Sequence, residues 1–303
     1  MTKFIYLFLD GVGLGADGPS NPFNSQENCL PFLSRLLGST LLENLKLDQP
    51  NLLFKALDAT LGVSGLPQSA TGQTALFTGR NAPAFLGHHL TGFANGSMRL
   101  LIEESGLFKQ VIAAGGTVTS ANLYTPAYFE AIRQRKLRYS AGALLSLTAK
   151  VPFRLPEDYA RGEALFWDIT NQYTAQRSHL NLPILTPEEA GRRLARLALK
   201  FDVTLFESYL PDFAGHRQDL NQAREVLQLI DRFIEGILTE KAEEITLVIS
   251  SDHGNIENLD RKTHTLNPVP LLVSGPDAAE FYPIEDITGI TPTLVRLIQK
   301  KYN

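Results

Sequence analysis

Residues 250–270 read SSDHGNIENLDRKTHTLNPVP, and they directly follow the apolar run ITLVI of residues 245–249. A short, continuous β-branched run bounded by polar residues and glycine predicts a strand buried on both faces. Asp252 and His253 then stand at its carboxyl end, and His264 comes eleven residues after His253. In open α/β sheets that end of a strand is where ligands bind. Carboxylate oxygens and imidazole nitrogens together suit a divalent cation such as zinc or manganese. The same residue types also serve as a hydrogen-bonded core histidine and a helix-capping aspartate, so the triple alone leaves both readings open.

Working outward, strand and helix patterns alternate. Residues 4–9 (FIYLFL) form a second apolar run, closed by Asp10 and followed by Gly11, Gly13 and Gly15. GLGADG at residues 13–18 has the form of a dinucleotide fingerprint. Pro19, Ser20 and Asn21 stand where its helix would begin, so a nicotinamide or flavin site is not expected. Residues 31–37 predict a short helix opened by proline, and 56–61 a strand. In GLPQSATGQTALFTGRNAP (65–83) a helix is expected to open near Ser69. A hydroxyl there is either an N-cap or a nucleophile whose phosphorylated form the helix end holds.

Residues 187–200 carry acids first and bases later, the pattern of an amphipathic helix. A strand is expected over 202–208, then the loop YLPDFAGHRQD with Asp212 and His216, and a long helix over 220–238. A strand at 270–274 and a helix at 291–300 close the chain. The middle differs. A helix-like run (97–114), residues 117–120 and NLYTPAYF lead to the basic run Arg133, Gln134, Arg135, Lys136, Leu137, Arg138. That run is either a solvated face or a phosphate grip. The expected architecture is α/β: a doubly wound, mostly parallel sheet over 1–83 and 187–303, with a smaller α+β cap inserted over 84–186.

Composition narrows the function. The 303 residues are 44% hydrophobic, enough for one large domain or two smaller ones. A net charge of -4 gives no case for nucleic acid or an anionic membrane. A single cysteine, Cys29, excludes an internal disulfide and fits a reducing compartment. MTKFIYLFLDG reads as a first strand and not a signal peptide, and no run approaches the ~18 apolar residues of a membrane span. A cytoplasmic setting is the expectation.

Together the motifs resemble the alkaline phosphatase superfamily, in particular its metalloenzyme branch with cofactor-independent phosphoglycerate mutase and phosphopentomutase. DHGN followed by HTLNPVP, Asp10 in LFLDGVG, Asp212 spaced four from His216, and Ser69 three residues before Gly72 carry the likeness. GHRQD is similar to phosphopentomutase, whereas SATGQT departs from that enzyme's nucleophile segment. The resemblance covers 1–83 and 187–303. It implies two divalent cations, manganese or zinc, with magnesium as a third candidate. One would be held by Asp10, Ser69, Asp252 and His253, the other by Asp212, His216 and His264. It implies phosphoryl transfer on a small phosphorylated metabolite through phospho-Ser69. A mutase is expected, with a phosphatase or phosphodiesterase as the alternative and a non-catalytic metal-binding homologue as a further one.

Overall fold

The computed structural model describes residues 2–175, 180 and 182–302. Its strands are β1 (Lys3–Leu9), β2 (Leu47–Gln49), β3 (Leu52–Leu57), β4 (Val118–Ser120), β5 (Val203–Ser208), β6 (Ile245–Ser250) and β7 (Val269–Ser274). They form one seven-stranded sheet in the order β2-β3-β7-β6-β1-β5-β4. β1 lies at its heart, parallel to β5 on one side and to β6 on the other. Its alternation is explicit. Ile5, Leu7 and Leu9 join one hydrophobic cluster, with helices Pro31–Leu37, Pro187–Ala198 and Leu220–Glu240. Phe4, Tyr6 and Phe8 join the other, with helices Ser69–Thr78 and Ile290–Tyr302. Both faces are covered, as a continuous apolar run requires.

The sheet is mixed, not mostly parallel. β4 pairs with β5 in parallel, but β7 runs antiparallel to both β6 and β3, and β2 antiparallel to β3. The cause is the segment between β6 and β7. It contains no helix to carry the chain back across the sheet, so β7 must return antiparallel. The strand expected at 56–61 lies four residues earlier, at Leu52–Leu57.

The expected cap over 84–186 is not set apart. Val118–Ser120 is an edge strand of the same sheet as Lys3–Leu9. Met98, Leu101, Ile102, Leu107, Phe108, Leu144 and Leu145 pack in the same cluster as Phe4. The helix expected over 97–114 is two helices, Gly96–Ser105 and Leu107–Ala113, which meet at Gly106. A Cβ on Gly106 would come within 2.6 Å of the Ile102 carbonyl oxygen. The expected loop with Asp212 and His216 is instead helix Leu210–Arg217, opened by Pro211. Among the described residues no helix is long and apolar enough to cross a membrane.

Helices Pro187–Ala198 and Leu220–Glu240 touch backbone to backbone through two glycines. A Cβ on Gly191 would lie 2.2 Å from the Phe233 carbonyl oxygen, and one on Gly236 would lie 2.3 Å from that of Glu188. Alanine gains about 1 kcal/mol of helix propensity over glycine. Overpacking against rigid backbone costs about 1–3 kcal/mol, so the clash is expected to win. Gly191→Ala and Gly236→Ala should each lower unfolding free energy in urea; unchanged midpoints would show that the helices separate freely.

Candidate metal centre

Three neighbouring parallel strands deliver the site. Asp10 follows β1, Asp252 and His253 follow β6, and helix Leu210–Arg217 follows β5 with Asp212 and His216 four residues apart on one face. His264 lies in the β6–β7 connection, and Ser69 opens helix Ser69–Thr78. His253 is the centre. Its Nε2 is 3.3 Å from Asp10 Oδ1, 3.5 Å from Asp252 Oδ2 and 3.0 Å from Ser69 Oγ. Its ring stacks on that of His264, with centroids 3.6 Å apart and planes 13° apart. Asp212 Oδ1 is 3.6 Å from His264 Nε2, and Asp212 Oδ2 is 3.3 Å from His216 Nε2.

Backbone carbonyls orient two of the histidines. His264 Nδ1 donates to the Pro67 carbonyl at 2.9 Å and His216 Nδ1 to that of Lys262 at 2.8 Å. In the neutral ring each Nε2 then keeps its lone pair, the arrangement that metal-ligating histidines use. The ligand atoms of Asp10, Asp252 and His253 lie within 4.8 Å of one another, and so do those of Asp212, His253 and His264. His216 stands outside both compact sets, and its side chain is 44% exposed.

The electrostatics suit a cation. Asp252 and His253 are fully buried and Asp10 nearly so. Asp10 Oδ1 and Asp252 Oδ2 accept no hydrogen bond, and His253 Nδ1 has no partner. A buried carboxylate oxygen without a donor is costly unless a positive charge faces it. Burial pushes both carboxyls up, Asp252 well above the ordinary range, and Asp10 adds to the rise at Asp252 by repulsion. At His253 burial opposes charge, yet Asp252 and Asp10 together raise it to about 10. The proton on that ring supplies the charge that a metal ion would supply. His264, stacked on it, is lowered to about 4 by burial and by His253. At Asp212 burial is outweighed by His216 and Asn255, and the carboxyl falls to about 2. Two adjoining clusters of aspartate and histidine thus have the donor set of divalent cation sites.

Several supporting residues carry no signal in the sequence. Gln73 Nε2 reaches Asp10 Oδ2 at 3.4 Å, and Asn255 Nδ2 donates to Asp212 Oδ1 at 2.6 Å. Glu257 ties the segment together. It accepts from the backbone N–H groups of Gly13 and Asn255, from the Thr265 hydroxyl and from the Asn267 amide. A Cβ on Gly13 would lie 2.3 Å from that carboxylate, so Gly13 serves this packing.

Glu207 was missed too, although a glutamate inside the apolar strand VTLFES was a readable signal. It is fully buried, its Oε2 is unpaired, and Tyr209 donates to its Oε1 at 3.2 Å. Burial lifts its carboxyl to about 8. The metal cluster opens into a cavity of about 970 Å³, lined by Asp10, Ser69 and Asp212 at one end and by Trp167, Tyr128 and Leu180 among others beyond. Of the basic run, Arg138 lines this cavity, while Arg133, Arg135 and Lys136 are exposed away from its lining.

Residues 187–301 match the model of the Metalloenzyme superfamily. That stretch contains Asp212, His216, Asp252, His253 and His264, so the family likeness of the motifs is shown over it. The 2,3-bisphosphoglycerate-independent phosphoglycerate mutase of Desulforudis audaxviator (strain MP104C) is 32% identical over 130 residues, 38% of this chain and 25% of that enzyme. The chain therefore spans about a quarter of that relative's length. Among solved structures, the PH0037 protein from Pyrococcus horikoshii matches with a TM-score of 0.58 at 15% identity, over 99% of this chain and 97% of that one. The alkaline phosphatase from the Antarctic bacterium TAB5 matches with 0.53 at 14% identity, over 100% of each. At these identities the likeness is one of fold, an α/β architecture resembling alkaline phosphatase.

Two outcomes are expected. Asp252→Asn should abolish the stabilisation that added Mn²⁺ or Zn²⁺ gives the wild type, measured against each protein in EDTA. For the wild type, cation at a hundredfold over its Kd is worth about 2.7 kcal/mol. No thermal shift with any divalent ion would contradict the metal centre. The second outcome concerns Glu207, whose folded form holds its proton up to about pH 8 while the unfolded form releases it near the ordinary value of 4.5. Between these limits the folded state binds more protons, so stability falls as pH rises, by on the order of 4 kcal/mol at pH 8. Glu207→Gln in EDTA should match wild type at pH 5 and exceed it increasingly towards pH 8.

Proposed function

We propose that the protein is a dinuclear metal-dependent phosphoryl-transfer enzyme acting on a phosphate ester through phospho-Ser69. The observation that carries this reading is the 3.0 Å approach of Ser69 Oγ to His253 Nε2, at the edge of the carboxylate cluster. Ser69 is the first residue of its helix, and Gln68 occupies the cap position. The hydroxyl therefore does not cap the helix and is free for chemistry. The N–H of Ala70 is taken by the Leu90 carbonyl, so the helix would favour an added phosphoryl group mainly through its dipole.

One cation would be held by Asp10, Ser69, Asp252 and His253, the other by Asp212, His216 and His264. Two such ions would supply charge that lowers the serine pKa and neutralises the phosphoryl oxygens. Ser69 Oγ attacks phosphorus, its bond to phosphorus forms, and the ester P–O bond breaks. The alcohol leaves with a proton. Water then attacks the phosphoserine, phosphate departs, and the serine hydroxyl is restored. Gln73 and Asn255 hold Asp10 and Asp212 in place throughout.

The cavity favours hydrolysis over the mutase outcome. A mutase must hold its dephosphorylated intermediate and exclude water until the group is returned. Here Phe93 and Phe213 on the cavity wall are 43% and 50% exposed, and Arg138 is the single cationic side chain among the described lining residues. The mutase reading keeps two supports, the 32% identity over 130 residues to the phosphoglycerate mutase of Desulforudis audaxviator and the GHRQD motif at residues 215–219.

Ser69→Ala should remove turnover of phosphate esters by Mn²⁺- or Zn²⁺-loaded protein and leave the protein folded, at a cost of about 1–3 kcal/mol for the lost hydrogen bond to His253. In ¹⁸O-labelled water the wild type should release labelled phosphate. Return of unlabelled phosphoryl to the substrate would establish the mutase, and full activity in Ser69→Ala would overturn the covalent mechanism.

A further inference from the structure

The cavity's walls say more about the alcohol than about the phosphoryl group. Its 970 Å³ would hold roughly 30 water-sized groups. A phosphoryl group with a three- to five-carbon polar body leaves most of that space empty. Beyond Asp10 and Asp212, Arg138 is the single charged residue among the described lining residues. The rest is largely apolar and includes the rings of Phe93, Tyr124, Tyr128, Trp167, Tyr209 and Phe213. Trp167 stacks on Phe213 with centroids 5.4 Å apart and planes 28° apart, and lies 6.1 Å from Tyr209. Phe213 follows Asp212 directly, so this aromatic wall begins at the metal cluster.

Two features speak against a sugar or a carboxylic acid in this space, where Tyr128 is a lining residue whose buried hydroxyl has no hydrogen-bond partner and offers a sugar one contact. Asn122, the one side-chain amide on the wall beyond Gln73, is already committed: its Nδ2 donates to the Glu207 carbonyl at 2.8 Å, and its Oδ1 accepts from the Glu207 N–H at 2.9 Å. A second acidic group would find Arg138 alone. In water, the exposed faces of Phe93 and Phe213 at the rim are unfavourable unless a ligand covers them.

We propose that the site takes phosphate monoesters of bulky, uncharged, ring-bearing alcohols, with the alcohol lying against Trp167 and Phe213. This rests on the phosphoryl-transfer reading for its reaction but not for its binding. The phosphoryl end sits at Ser69, and the apolar body fills the cavity beyond. Selectivity arises from burial of the ring, about fourfold for each added methylene-sized group.

Two measurements test it. Trp167 is the chain's one tryptophan, so emission excited selectively at tryptophan, with any emission of the free ligand subtracted, reports on this wall. 2-(2-Naphthyl)ethanol should change that emission saturably, and glycerol should not. This arm needs no catalysis. In the second arm, metal-loaded protein is given ethyl phosphate, 2-(2-naphthyl)ethyl phosphate and ribose 5-phosphate. The first two share a primary alkoxide leaving group, so their ratio reads binding and not intrinsic reactivity. The naphthyl ester should be favoured in kcat/KM by at least about 30-fold, and Trp167→Ala should reduce that ratio about tenfold. Absence of a saturable emission change, equal kcat/KM for the two esters, or preference for ribose 5-phosphate would each overturn the proposal. Naphthylethanol binding with no turnover of any ester would instead contradict the phosphoryl-transfer reading and leave the ligand class standing.

Discussion

Asp10 and Asp252 share one buried space, and each presents an oxygen that accepts no hydrogen bond. That constraint organises the molecule. Two carboxylates cannot ionise side by side in an apolar interior without positive charge between them. The protein brings His253 to both, where its ring proton offsets their charge, and sets Asp212 and His264 beside it, so that the cluster has the donor set of a divalent cation site. Such an arrangement lowers stability in the absence of metal. It persists because the sheet fixes it: β6, β1 and β5 are adjacent and parallel, so their carboxyl ends open at one edge.

The supporting contacts follow from that placement. Glu257 binds the segment after β6 to the turn after β1 and to Thr265 and Asn267, which makes one body of the elements that carry Asp10, Asp252, His253 and His264. Close approach is built in with glycine: a Cβ on Gly72 would fall 2.8 Å from the Asp252 carbonyl oxygen, so helix Ser69–Thr78 can bring Ser69 to His253 only without a side chain there. The end that carries the aspartates and histidines is therefore closely packed. The cavity beyond it is lined largely by apolar and aromatic side chains.

Much of this was legible in the sequence because the relevant signals are local. Continuous apolar runs predicted the central strands to within a residue or two, and the acids and histidines following them marked the sheet edge. Longer-range effects were not legible. Val118–Ser120 is too short to show a period, and its place is decided by pairing with Val203, Thr204 and Leu205. The β6–β7 return made the sheet mixed, a matter of what the connection lacks. Helix Leu210–Arg217 contains Pro211 and Gly215 and shows a weak apolar face, so it read as a loop. Gln73 and Asn255 are uncharged residues of common types, and only their contacts reveal their role.

Anomalous diffraction from crystals of manganese-loaded protein tests the central claim most directly. Two peaks about 4 Å apart are expected. One should lie among Asp10, Ser69, Asp252 and His253, the other among Asp212, His216 and His264. Density with no peak at the ends of β1, β5 and β6, or manganese bound only at other surface carboxylates, would contradict it.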